Sequence, residues 1–277
     1  MKLTALLLAL LTPVFLTGCL QIERNVRVKP DGSGTIEETM VMGKEMLAQM
    51  KQMEAAFGGD KGAGAKAHPS STYDETKLRA QAAKLGEGVT FVSGKPMSTA
   101  TGEGYSAIYA FKDVTKLRIE AEASGAMPSG AGEMKAGGKN GPIVFAFTKG
   151  KVAELTIQQP KPKEPAAAPA AKPDPADAAA ESMSDAMLPM MQQMLKGMRM
   201  ALHVQVEGKI VDTNAEYRDG AKVTLLDVDF DKLLAKPETL KAMAKSKSKS
   251  INEQKALLKG IEGIRVEGAE QVKIRFQ

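Results

Sequence analysis

Leu20-Gln21-Ile22-Glu23-Arg24-Asn25-Val26-Arg27-Val28-Lys29-Pro30-Asp31-Gly32-Ser33-Gly34-Thr35-Ile36-Glu37-Glu38-Thr39-Met40-Val41-Met42 is the stretch on which the fold turns. Its first part interleaves apolar Ile22, Val26 and Val28 with Glu23, Arg24, Arg27 and Lys29, the period-two pattern of a half-buried strand. Pro30 to Gly34 is a turn cluster that supplies glycine where the chain needs positive φ. A second β-like run follows from Ile36 to Met42. Together these parts predict a β-hairpin that starts almost at once after Cys19.

Beyond the hairpin the period changes. Met46, Leu47, Met50 and Met53 share one helical face within 43–56. Residues 57–71 are rich in Gly, Ala and Ser and read as a loop. The capping box Thr72-Tyr73-Asp74-Glu75 opens a helix to Leu85, which Gly86 ends. Strands are predicted at 89–92, 105–111, 143–147 and 151–157, with a Gly-rich loop over 123–141. Residues 159–181 hold Pro160, Pro162, Pro165, Pro169, Pro173 and Pro175 among alanines, the composition of an extended spacer. A Met-rich helix is predicted at 182–198, then strands at 200–206, 210–217 and 222–228. Short helices at 231–235 and 237–245 follow, then a capped helix at 250–259. A closing hairpin pairs 264–267 with 271–276. Asp113 and Asp229 each follow a strand in a shared G-x8-D-x-x-K-L pattern and are expected to cap a helical turn.

This order of elements predicts an α+β fold, with antiparallel sheet(s) and packed amphipathic helices, interrupted by a Pro/Ala-rich linker. The expected divisions are a lipoprotein signal peptide at 1–18, an N-terminal α+β region at 19–158, a disordered linker at 159–181 and a C-terminal α+β region at 182–277. Whether the two regions form one domain or two stays open.

Upstream of the hairpin, Lys2 precedes an apolar run from Ala5 to Leu16, too short for a permanent span but suited to a cleavable signal. The run ends in Leu16-Thr17-Gly18-Cys19, which resembles the lipobox of bacterial lipoproteins without departure. That resemblance implies a thioether-linked diacylglycerol on Cys19, cleavage before it, and in many Gram-negative bacteria N-acylation such as palmitate. Two or three acyl chains anchor durably where one does not, since each buried CH₂ adds roughly 0.8 kcal/mol. Leu20 at the following position implies the periplasmic face of the outer membrane in a Gram-negative host. In a Gram-positive host the same tag implies the outer face of the plasma membrane. The hairpin after Cys19 then keeps the folded part close to the lipid.

Composition narrows the chemistry. One Cys excludes a disulfide framework and a Cys-built zinc site. A net charge of +5 is too mild to imply nucleic acid. His68 lies in the Gly/Ala/Ser loop, His203 faces away from the apolar side of its strand, and neither belongs to a nucleophile or zinc motif. Asp227, Asp229 and Asp231 lack the Gly and Glu of a calcium loop, so one caps a helix and the others face solvent. Gly137 to Gly141 lacks Walker spacing and reads as a flexible loop. Lys241, Lys245, Lys247 and Lys249 are either a solvated loop or a patch for an anionic leaflet. No cofactor, metal or catalytic residue is expected.

Seventeen methionines are the unusual feature. Met183, Met187, Met190, Met194 and Met198 recur at helical spacing, with Met191 beside them and Pro189 marking a kink or a start. Three roles compete: core, an adaptable groove for an acyl chain or partner helix, and Cu(I) capture by thioethers. The plan also resembles the LppM-like envelope lipoproteins, through Cys19, the turn from Pro30 to Gly34 and the β-rich mature chain. That resemblance implies an anchored α+β ectodomain that binds lipid, and assigns no site residue. The expectation is a membrane-anchored, non-catalytic envelope lipoprotein whose ectodomain binds a lipid or other hydrophobic ligand, or an envelope protein. An envelope enzyme with a carboxylate-based site and a structural spacer lipoprotein are the alternatives.

Overall fold

The computed structural model describes residues 20–57, 72–120, 141–160, 195–236 and 258–277, with 192, 238 and 239 besides. β1 (Leu20–Val28) and β2 (Gly34–Gly43) form the expected hairpin, in unbroken register from Leu20↔Met42 to Val28↔Gly34. Its turn is fixed twice at Gly32. The residue has φ +87°, and a Cβ there would stand 2.8 Å from the Phe147 ring. The Asp31 carboxylate accepts the Ser33 N–H at 2.9 Å and its hydroxyl at 2.7 Å, closing an Asx-type turn.

α1 (Lys44–Phe57) leaves β2 directly and packs Met46 and Leu47 on the core. α2 (Glu75–Leu85) opens two residues later than a box capped by Thr72 implies, with the Asp74 carboxylate as the cap, accepting the Lys77 N–H at 3.1 Å. It buries Leu78, Ala82 and Leu85. β3 (Thr90–Ser98) and β4 (Gly102–Phe111) follow. A 3₁₀ turn (Val114–Lys116) capped by Asp113 leads to β5 (Arg118–Ile119), β6 (Ile143–Thr148) and β7 (Ala153–Gln158). The second half supplies β8 (Met198–Val206), β9 (Ile210–Thr213), β10 (Arg218–Asp219), β11 (Lys222–Asp229), α3 (Phe230–Leu234), β12 (Ile264–Val266) and β13 (Gln271–Phe276). Asp229 caps α3 through the N–H groups of Asp231 and Lys232, as Asp113 does through Thr115.

The larger sheet runs β10-β11-β8-β1-β2-β4-β3, with β12 also on β11, and the smaller runs β5-β6-β7-β13-β9. The inner faces of both contribute to one apolar cluster: Val26, Val28, Ile36, Tyr109 and Val204 from the first, Leu155, Ile157, Val272, Ile274 and Phe276 from the second. Strand sides that alternate buried and exposed are matched to each other, so the core is chiefly sheet on sheet.

This overturns the α+β expectation. The described chain is mostly β, with three short α-helices among the described residues, and helices are not the main partners of the sheets. The strands bury their apolar sides against one another, and α2 adds Leu78, Ala82 and Leu85 to that core while α1 adds Leu47. The closing hairpin is also absent as such. β12 pairs with β11 in the larger sheet, whereas β13 enters the smaller sheet between β7 and β9.

Strands from both sides of the Pro/Ala segment interleave. β1 lies parallel to β8 from Leu20↔Met198 to Val28↔Val206, and β7 lies antiparallel to β13 from Ala153↔Phe276 to Gln158↔Gln271. Residues 20–158 and 198–277 thus share two sheets and one core cluster. The lipobox, most of the Pro/Ala segment, the lysine tract and the capping box at Ser250 lie outside the described residues.

Candidate functional site

Alternation on the central strands sets two polar groups on opposite faces of the larger sheet. Glu23, Asn25 and Arg27 of β1 project outward, in phase with Glu37 and Thr39 of β2, His203 and Gln205 of β8, and Lys222 of β11. These eight side chains line a recess of about 290 Å³. Arg27 Nε stands 3.0 Å from Glu37 Oε1, and its Nη2 donates to Oε2 at 3.4 Å. Asn25 Nδ2 donates to Gln205 Oε1 at 3.4 Å, while the buried Asn25 Oδ1 accepts from no protein group.

His203 is the most enclosed of the set, at 6% exposure. Its Nδ1 is hydrogen-bonded with Thr224 Oγ1 at 3.1 Å, and its Nε2 lies 3.9 Å from Glu23 Oε1. Burial, followed by the Lys222 charge, holds its pKa below 6.5 against the opposing pull of Glu23 and Asp227. The imidazole is therefore neutral at pH 7 and acts as a hydrogen-bonding group in the wall. Beside the recess, Arg199 bonds both carboxylate oxygens of Asp227 at 3.1 Å, and the pair raises the arginine's pKa further.

The inner face carries the second group, under α2. Arg24 lies directly opposite Glu38 on the core side of the hairpin. Its Nε donates to Glu38 Oε2 at 2.9 Å, Gln81 Nε2 of α2 donates to Oε1 at 2.9 Å, and the Tyr105 hydroxyl donates to Oε1 at 2.8 Å. Burial and the adjacent carboxylate push the Tyr105 phenol far above its ordinary value. Glu38 is buried but has three donors, as an interior carboxylate requires. The Tyr109 hydroxyl nearby is buried without a protein partner. This cluster fastens α2 to the sheet. Glu38 and Tyr105 are buried in it, so the outer recess, most of whose side chains are more open, is the candidate site.

The residues singled out from the sequence fall differently, and where described they are structural. Met198 begins β8 beside Leu20 and is buried, so it belongs to the core. Met183, Met187, Met190 and Met194 lie outside the described residues, as does Cys19. The end of the Met segment is visible. Lys196 N–H closes a helical bond to the Gln192 carbonyl at 3.0 Å, and Gly197, with φ +68°, ends the turn. Of the three aspartates, only Asp229 is a cap. Asp227 pairs with Arg199, and Asp231 accepts the Gly197 N–H at 2.7 Å. Asp227, expected to face solvent, is instead half-buried against Arg199 because β11 runs beside β8, whereas Asp231 is exposed as expected while also accepting the Gly197 N–H. The recess itself is not readable from sequence. Its signal is the run of polar residues at alternate positions, which is common to any solvated sheet face until strand order gathers them.

No protein-family model matches the chain, and no curated protein matches its sequence. Among solved structures the chain is similar to the folded domain of the Mycobacterium tuberculosis LppM protein, determined by NMR. The identity is 8%, the match covers 96% of this chain and 94% of that one, and the TM-score is 0.29. It is a distant likeness, and no site residue is transferred from it.

Proposed function

We propose that this is an acyl-anchored, non-catalytic protein of the bacterial envelope, whose ectodomain is a binding module with the outer-face recess as its docking point. The observation that carries the anchoring is the sequence Leu16-Thr17-Gly18-Cys19 directly before a buried strand residue. Leu20, the first described residue, is 2% exposed and paired with Met42 and Met198, so cleavage before Cys19 removes no described element. The recess supports a binding role through its polar wall, in which Arg27 pairs with Glu37 at 3.0 Å while Asn25 Oδ1 keeps hydrogen-bonding capacity that no protein group uses. A partner with hydrogen-bonding groups suits Asn25, Gln205 and Lys222 better than an acyl chain does. Among the described residues the large apolar side chains standing exposed are Val92 at 56% and Val211 at 43%, one on each sheet. For a hydrophobic ligand, the segment of Met183, Met187, Met190 and Met194 is the candidate surface.

Metabolic labelling with palmitate, compared between the wild type and Cys19→Ser, tests the anchor. Label and membrane fractionation are expected only in the wild type, and an unlabelled wild type would overturn it. Photo-crosslinking amino acids at Thr39 and at Glu207 test the site. A discrete protein adduct is expected from position 39 and none from 207, while equal patterns would remove the recess from consideration.

A further inference from the structure

Resting on acylation at Cys19, we propose that one identifiable end of the sandwich lies against the lipid surface in a fixed orientation. It is the end formed by the start of β1, the β3–β4 turn at 99–101, Lys196 and the first turn of α3. Chain length imposes this. Consecutive Cα atoms are about 3.8 Å apart, so the residue bearing the acyl chains is one step from Leu20. Leu20 is already buried and hydrogen-bonded in a strand with partners on both sides, so no flexible residue separates anchor from fold.

Register then decides what else sits at that level. Leu20 is opposite Met42, Met42 opposite Glu103, and Glu103 opposite Ser98, while on the other side Leu20 is opposite Met198 and Arg199 opposite Asp229. Two bonds tie this rim together: Lys44 N–H to the Thr101 carbonyl at 3.0 Å, and Gly197 N–H to Asp231 Oδ1 at 2.7 Å. The Lys29–Ser33 turn and Glu207 lie at the far end, eight strand steps or about 26 Å away at roughly 3.3 Å per residue. Among the described residues, exposed Lys44, Lys196 and Lys232 are offset on the rim by exposed Glu45, Glu103 and Asp231. The anchor, and not attraction to anionic lipid, therefore fixes the orientation, which should persist in high salt. The occupant of this end is the bilayer headgroup layer, and the recess, on the flank of the sheet, stays open to a partner.

Because Cys19 is the single cysteine and its thiol is consumed by the anchor, an introduced cysteine is the one free thiol of the lipidated protein. Ala100→Cys and Lys196→Cys report the rim, and Lys29→Cys and Glu207→Cys the far end; each position is exposed. Each lipidated full-length variant is labelled with a fluorophore and bound to phosphatidylcholine vesicles carrying a headgroup nitroxide. Quenching several-fold stronger at 100 and 196 than at 29 and 207, unchanged by salt, is the expected result. A Gly/Ser insert of about twelve residues between Cys19 and Leu20, reaching roughly 20 Å as a coil, should equalise the four positions. Equal quenching without the insert, in protein that floats with the vesicles, would overturn the orientation while leaving the anchor intact. Protein that does not float would overturn the anchor and the orientation with it.

Discussion

Tyr105 and Tyr109 stand four positions apart on one face of β4 and should answer oppositely to loss of their hydroxyls. Tyr105 donates to Glu38 in a buried site, so Tyr105→Phe is expected to cost about 1–3 kcal/mol. Tyr109 has a buried hydroxyl with no protein partner, so Tyr109→Phe should be neutral or stabilising by up to about 1 kcal/mol. Paired urea unfolding curves of the two variants check this. Glu38→Gln strands the Arg24 guanidinium in a largely buried position and should cost about 3 kcal/mol. Adding Arg24→Met should recover part of that, since the amide oxygen still accepts from Tyr105 and Gln81; a double variant no better than the single would refute the pairing. His203 sets a pH dependence. Its folded pKa lies below the unfolded value near 6.5, so its contribution is complete above that value and is lost as pH falls from there toward the folded pKa. Thermal melts from pH 8 to 5 should show this loss reduced in His203→Gln. Arg24 and Glu38 are legible as anomalies, since each stands in phase with apolar neighbours, but the sequence does not say that they meet.

At the scale of the element, local rules hold wherever chemistry within a few residues decides the outcome. Asp113 and Asp229 cap as their spacing predicts, and Asp74 caps α2 in place of Thr72, the first residue of the expected box, because an Asx side chain reaches N–H groups two or three positions on. Asp74→Ala should cost about 1 kcal/mol, read as a shift of roughly 2–4 °C in Tm. Gly86→Ala should cost more, about 2 kcal/mol or above. The residue has φ +148°, and a Cβ would run into the Lys116 carbonyl where Gly86 bridges to Leu117. If Gly86→Ala proved milder than Asp74→Ala, the close approach of α2 to the 3₁₀ turn would be wrong. Local rules fail for the closing strands. Residues 264–266 and 271–276 have hairpin spacing, yet β11 and β7 offer each a longer-range partner with a better-matched apolar side.

For the whole molecule, the interleaving of the two halves has a measurable consequence. A protease site introduced within 161–181 and then cut should leave the two fragments associated through gel filtration, separating only in denaturant. β1 with β8 and β7 with β13 hold them across both sheets. Fragments that separate natively would show two independent units. Each fragment expressed alone should remain unfolded, since it lacks central strands and exposes residues such as Val204 or Leu155 that are fully buried in the intact sandwich. The amino-acid sequence by itself determined the hairpin from Leu20 to Met42, its glycine turn, the caps at Asp113 and Asp229 and most strand positions. Each follows from side-chain alternation, backbone freedom or hydrogen bonds within a few residues. Tertiary structure alone decided that the sheets face each other, that β1 lies parallel to β8, and that eight scattered polar residues line one recess. Strand order is set by which apolar sides fit together across the whole chain, and a period-two pattern says which side is buried but not against what.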